Sequence, residues 1–297
     1  MKPIVVVHGG VSAPAEWKDG CVAAAEAGVA ALRDGAGALD AAIAATIALE
    51  EDGRFNAGRG SVVRIDGETM EMDAGLMTGE GEIGAVASLR GFRNPILAAR
   101  EVMDTPHVLL AGPGAARFCE RRGLEPRTEG PTPECMDRHV KVMARLAART
   151  IRRPEWRDAD WERMWNFETP LPEDLRPTDT VGAVVRDGEG RFAVTNSTGG
   201  AVPMLLGRVG DSPIPGAGFW AGPHGAVTTT GVGEAIISRL AAKAIYDRLA
   251  DGETPQAAVD AVVAEFPEYD WFGALAVNAT DHAIGRNRHM PEAILFA

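Results

Sequence analysis

Between Glu168 and Pro177 the chain carries three prolines and three acidic residues in ten positions. Proline fixes φ and removes a backbone donor, so this stretch can form neither a helix interior nor a central strand. It reads as an exposed connector. Directly after Asp179 the composition turns apolar and β-branched, in Thr180-Val181-Gly182-Ala183-Val184-Val185, which is the start of a strand. Whatever the fold, it has to join two halves through this segment and restart abruptly at Thr180.

Each half mixes helical and strand patterns. Ile4 to Val7 is a short β-branched run ended by Gly9-Gly10, as in a buried strand. Ala-rich helices are predicted from about Cys21 to Arg33 and from Leu39 to Glu50, separated by Gly35 and Gly37. Beyond the Gly-rich loop Phe55 to Ser61, strands are expected at Val62–Ile65, Glu71–Ala74, Ala85–Ala87 and Val108–Leu110. Helices are expected from Asn94 to Met103, Ala115 to Arg122 and about Pro133 to Thr150. In the second half a hairpin pairs Thr180–Val185 with Arg191–Thr195 across Asp187-Gly188-Glu189-Gly190. Helices at about Glu234–Leu249 and Thr254–Glu265 precede a strand at Ala274–Val277. This α/β mixture fits a hairpin-containing sheet covered by helices on both faces better than a doubly wound parallel sheet.

Composition removes several functions. A chain of 297 residues can bury about three-quarters of its unfolded surface, so it needs no staples. Its net charge of −12 leaves no basic footprint for a phosphate backbone, and nucleic acid is not expected as a partner. No apolar run reaches the length of a membrane span, so the reading is a soluble, cytoplasmic protein with no membrane partner. Cys21, Cys119 and Cys135 lack any metal-binding spacing and are expected as buried thiols. Two Gly-x-Gly turns, Gly112-Pro113-Gly114 and Gly231-Val232-Gly233, lack the third small residue of a dinucleotide fingerprint, with Arg117 and Ile236 in its place.

Hydroxyl groups carry the remaining signal. A threonine hydroxyl is a weak nucleophile until a base takes its proton, and a free α-amine on the same residue can serve. Cleavage between Asp179 and Thr180 would supply that amine. Thr195-Asn196-Ser197-Thr198-Gly199-Gly200 sets hydroxyls at a strand end before glycines that permit close approach. Thr228-Thr229-Thr230-Gly231 does the same before the helix at Glu234. In Gly207-Arg208-Val209-Gly210-Asp211 a cation and an anion stand three residues apart. They could form a mutual surface ion pair, or a clamp in which Arg208 grips a carboxylate and Asp211 an ammonium.

These runs resemble the plant-type L-asparaginases and isoaspartyl peptidases, a family of N-terminal nucleophile hydrolases. The resemblance spans nearly the whole chain, through Val7-His8-Gly9-Gly10, Phe55-Asn56-Ala57-Gly58-Arg59-Gly60-Ser61, Met72-Asp73-Ala74, Thr180-Val181-Gly182-Ala183-Val184, Ser197-Thr198-Gly199-Gly200, Gly207-Arg208-Val209-Gly210-Asp211 and Thr230-Gly231-Val232-Gly233-Glu234. It implies a four-layer αββα sandwich, made as a single hydrolase domain and autocleaved into residues 1–179 and 180–297, the pieces staying together and pairing as a dimer of such units. It makes Thr180 the nucleophile, tuned by Thr198, with Thr230 Oγ and the Gly231 N–H as oxyanion hole. Arg208 and Asp211, with the backbone of Gly231 and Gly233, would bind the substrate, while Gly9, Gly10 and Asn56 support Thr180. No organic cofactor is implied; a structural sodium held by carbonyls near Asn56 is. The small-molecule substrates implied are L-asparagine and β-aspartyl dipeptides.

The departures are local. Val11-Ser12 follows the Gly9-Gly10 pair where the family has Gly or Ala, and Asp179 precedes the nucleophile, as in glycosylasparaginases. Trp161, Trp165 and Phe167 make the approach to the connector apolar. A glycosylasparaginase-like amidase and an unprocessed member that only binds an aspartate-like ligand are the alternatives.

Overall fold

The computed structural model describes residues 1–148, 157–167, 180–201 and 204–297. The expected connector Glu168–Pro177, Asp179 and the end of the helix expected at Thr150 lie outside the described residues.

Eleven strands are described, in two sheets. In chain order they are β1 (Ile4–His8), β2 (Met72–Thr78), β3 (Ile83–Leu89), β4 (Leu109–Ala111), β5 (Val181–Arg186), β6 (Phe192–Thr198), β7 (Phe219–Gly222), β8 (Gly225–Gly231), β9 (Phe272–Val277), β10 (His282–Arg286) and β11 (Glu292–Phe296). The larger sheet runs β11-β1-β5-β6-β2-β3-β4, antiparallel except for the β3–β4 pair. The smaller runs β10-β9-β8-β7 and is antiparallel throughout. The hairpin expected after the connector is β5–β6, with Val184 opposite Val194.

Alternation along these strands sorts the core. Val5, Val7, Val181, Ala183 and Val185 point to one face and pack against helices α1 (Lys18–Arg33) and α2 (Ala38–Asp52), through Ala24, Ala25, Val29, Ala41, Ala45 and Leu49. The small residues permit close approach: a Cβ on Gly28 would stand 3.0 Å from the Ala41 carbonyl and from a Val5 methyl. Ile4, Val6, Val184 and Val194 point the other way, onto Phe219, Ala221, Ala226 and Leu275 of the smaller sheet. Burying each such Val or Phe contributes about 1.5–3 kcal/mol. The sequence expectation of helices on both faces of one sheet is thus corrected, because the second face of the larger sheet packs on strands.

Helices α3 (Pro95–Met103) and α4 (Gly112–Arg122) cover β2 and β3 through Ile96, Val102, Ala115 and Cys119. Helix α5 (Pro133–Ala147) and the single turn α6 (Trp161–Met164) lie beside the loop at Val62 and Ile65. Beyond the smaller sheet, α7 (Gly233–Arg239), α8 (Ala241–Ala250) and α9 (Pro255–Val263) pack Ile236, Ile245 and Val259 against Val227, Ala274 and Ala276.

Two further expectations are corrected. The helix from Glu234 to Leu249 is two helices, broken where Leu240 adopts φ +48°. Val62–Ile65 is not a strand: Arg64 closes a turn by donating its N–H to the Thr69 carbonyl, and its side chain turns inward. The three cysteines are buried and unpaired, as expected. Among the described residues no helix is long and apolar enough to cross a membrane.

Candidate active site

Three threonines from two sheets meet at one end of the fold. Thr180 leads into β5, Thr198 ends β6, and Thr230 is the second-last residue of β8. The Thr180 hydroxyl donates to Thr198 Oγ1 at 3.2 Å. Thr230 Oγ1 donates to the Thr180 carbonyl at 3.5 Å and accepts from the Val11 N–H at 3.4 Å. That last bond explains the glycine pair. Gly9 packs so tightly on Phe55 that a Cβ would come within 2.3 Å of its ring, and Gly10 has φ +100°, which turns the chain to present Val11.

Asn56 fixes the middle threonine. Its Nδ2 donates to Thr198 Oγ1 at 3.4 Å and to the Gly200 carbonyl at 2.6 Å, while its Oδ1 accepts from the Val62 N–H at 3.0 Å. The Gly200 N–H donates to Thr198 Oγ1 at 2.9 Å. Thr198 Oγ1 is thus held between the Asn56 amide, the Gly200 N–H and the Thr180 hydroxyl.

Thr180 and Thr198 line a cleft with Gly200, Arg208, Asp211, Ser212, Gly231 and Gly233. Both glycines that begin the α7 corner are needed for close approach. Gly231 has φ +144°, and a Cβ there would stand 2.0 Å from the Trp271 carbonyl. A Cβ on Gly233 would stand 2.7 Å from Arg208 Nη2 and 3.0 Å from Asp211 Oδ1.

Arg208 and Asp211 do not form the mutual ion pair that their spacing allowed. Arg208 pairs with Glu234 at 2.9 Å. Asp211 is 3% exposed, and its Oδ2 has no hydrogen-bond partner among the described residues. Burial pushes the Asp211 carboxyl up to about 7, against the pull of Arg208 and with a smaller push from Glu234 and Asp73. A buried acceptor facing a cleft is poised for an ammonium donor.

His8 stands behind Thr180, in register with Gly182 of β5. Burial drives its pKa down to about 3, and the neighbouring Thr180 backbone offsets only part of that. It is a neutral imidazole across the physiological range.

Sequence reasoning assigned no role to Ser212, whose Oγ lies 3.4 Å from Thr180 Oγ1. The Asp211-Ser212 run was its only signal. Glu234 as the partner of Arg208 was likewise not anticipated. Asp179 is not among the described residues.

The loop around Asn56 does not fit the implied sodium at several of its oxygens. The Gly58 and Arg59 carbonyls accept from Arg127 at 2.7 and 2.9 Å, and the Arg54 carbonyl accepts from Arg138 at 2.6 Å. The guanidinium charge already at these carbonyls opposes a further cation there.

Comparison with known proteins agrees in extent with these motifs. A family described as Asparaginase matches residues 1–291. The isoaspartyl peptidase/L-asparaginase of Macaca fascicularis is 40% identical over 269 residues, which cover 88% of this chain and 81% of that one. The plant-type L-asparaginase of Pyrococcus horikoshii is 37% identical over 304 residues, covering 98% and 95%. The isoaspartyl peptidase/L-asparaginase of Danio rerio is 36% identical over 294 residues, covering 95% and 87%.

Proposed function

The chain belongs to the asparaginase family, and on that premise we propose that it hydrolyses L-asparagine and β-aspartyl dipeptides with Thr180 as an N-terminal nucleophile. Cleavage after Asp179 frees the Thr180 amine, which takes the proton of its own hydroxyl. Thr180 Oγ1 attacks the side-chain amide carbon. The tetrahedral oxyanion accepts from Thr230 Oγ1 and the Gly231 N–H, donors of the kind worth about 3–4 kcal/mol in the barrier. The amine returns the proton to the leaving nitrogen, and ammonia or an amino acid departs. Water then attacks the ester, with the same amine as base, and L-aspartate leaves. Arg208 holds the α-carboxylate and Asp211 the α-ammonium throughout.

One observation carries this reading: Thr180 Oγ1 lies 3.2 Å from Thr198 Oγ1 in a cleft also lined by Arg208 and by Asp211, whose Oδ2 has no hydrogen-bond partner among the described residues. The two sheets with their helices form the αββα sandwich of N-terminal nucleophile hydrolases. Residues 1–179 and 180–297 remain together after cleavage and pair into a cytoplasmic dimer of such units. The test is intact mass spectrometry followed by ammonia release from L-asparagine and cleavage of a β-aspartyl dipeptide by the same sample. Fully cleaved protein inert toward both substrates would refute it.

A further inference from the structure

The turn that carries Arg208 and Asp211 lies in the second half of the chain, yet the side chains that hold it belong to the first. Asn166 brackets Leu206: its Nδ2 donates to the Leu206 carbonyl at 3.0 Å, and its Oδ1 accepts from the Leu206 N–H at 3.0 Å. The next residue, Gly207, donates its N–H to Glu71 Oε2 at 2.8 Å.

Both anchors are themselves fixed. Asn166 sits between Trp165 and Phe167, whose rings are 4.7 Å apart and which pack on Val62, Ile65 and Met143. Glu71 is 3% exposed and accepts from Arg64 Nε at 3.2 Å and Arg90 Nη2 at 2.9 Å. Arg64 is fully buried, and its Nη1 donates to the Gly199 carbonyl at 2.6 Å, one residue beyond Thr198. One ion pair therefore touches both the turn after Thr198 and the turn before Arg208.

We infer that Glu71 and Asn166 are positioning residues which set the distance from the Arg208–Asp211 clamp to Thr180, so that substrate affinity in the second half is dictated by side chains of the first. The inference rests on Arg208 and Asp211 being the clamp. Neither Glu71 nor Asn166 lines the cleft; Asn166 acts only through the turn, and Glu71 through the turn and through Arg64.

The test is steady-state kinetics on purified, processed protein. Asn166→Ala removes both hydrogen bonds to Leu206 and should raise KM for L-asparagine at least fivefold. The inhibition constant of L-aspartate should rise by the same factor, with kcat held within about twofold. Asn166→Asp, which keeps the acceptor for the Leu206 N–H and loses the donor, should fall between. Glu71→Gln should act in the same direction; because it removes the carboxylate bonded to the buried Arg64 and leaves only Asp73 to offset that charge, it is accompanied by a thermal melt. If Glu71→Gln does not fold, the exposed Asn166 variants decide alone. Unchanged KM and inhibition constant in Asn166→Ala, or a loss confined to kcat, overturns the inference. Arg208→Lys is measured beside them: an unchanged KM there overturns the clamp itself, whereas a raised KM with silent Asn166→Ala overturns only the positioning role.

Discussion

Arg208 pairs with Glu234 at 2.9 Å and leaves Oδ2 of Asp211, three residues on, without a hydrogen-bond partner among the described residues. The guanidinium lies against Gly233, where a Cβ would stand 2.7 Å from its Nη2, and its Nε–Nη2 edge is already engaged by Glu234. Its planar fork can still receive a substrate carboxylate bidentately, which an ammonium cannot reproduce. Arg208→Lys should therefore raise KM for L-asparagine at least tenfold while cleavage before Thr180, which uses no external amino acid, proceeds at the wild-type rate. Unchanged KM in a fully cleaved sample would remove Arg208 from the clamp.

Thr180→Ala should yield one uncut chain of 31.3 kDa with no detectable asparaginase activity. Denaturing electrophoresis after prolonged incubation reads both. Splitting of the variant at this bond would exclude the threonine hydroxyl as its agent.

Asp211 holds an ammonium only as a carboxylate. With its pKa raised by burial to about 7, KM for L-asparagine should fall as pH rises from 6 toward 8. In Asp211→Asn this dependence should vanish and KM should stay high. A KM independent of pH in the wild type would contradict the assignment.

The base can be told from its nearest rival by pH as well. His8 is held neutral by burial, at about 3, so it has no proton to lose between pH 5 and 9. A free α-amine titrates near ~7.7–8.0. The acidic limb of kcat should survive in His8→Asn. Its disappearance together with most of the turnover would make His8 the base.

Stability carries a separate signature. Glu50 is fully buried, accepts from Ser197 Oγ at 2.7 Å and the Ile96 N–H at 3.1 Å, and is pushed by burial from 4.5 to about 8. Folded protein thus keeps a proton that the unfolded chain releases. The stability this provides is complete below pH 4.5 and is lost as pH rises toward 8. Glu50→Gln removes the titration, so the free-energy difference between wild type and variant should change by up to about 1.4 kcal/mol per pH unit inside that window and be flat above it. Denaturant unfolding at four or five pH values measures it. A difference independent of pH would show that Glu50 is ionised when folded.

What could be read from the residues followed a physical division. The β5–β6 hairpin was legible because β-branched runs flank a Gly-rich turn, Thr198 and Thr230 because each ends such a run beside glycine, and Thr180 because it begins one directly after a proline-rich segment. Contacts between distant segments left no local mark. Arg64 looked like part of a strand in Val62–Ile65, yet its partners Glu71 and Gly199 pull it inward. The break at Leu240 has no glycine or proline to announce it. Asn166 and Ser212 gain their importance only where the chain returns to them.

The order of the larger sheet has one more consequence. β1, from the first half, is bonded on one side to β11 and on the other to β5, both from the second, and β6 is followed by β2. A cut before Thr180 would sever a covalent link while leaving every one of these ladders intact. The two products would be interleaved like fingers of clasped hands, and dilution would part them only as fast as the sheet itself comes apart. For the same reason neither product offers the other a finished surface on which to dock: each would have to be present while the other is folding, and a single gene is the simplest way to guarantee it.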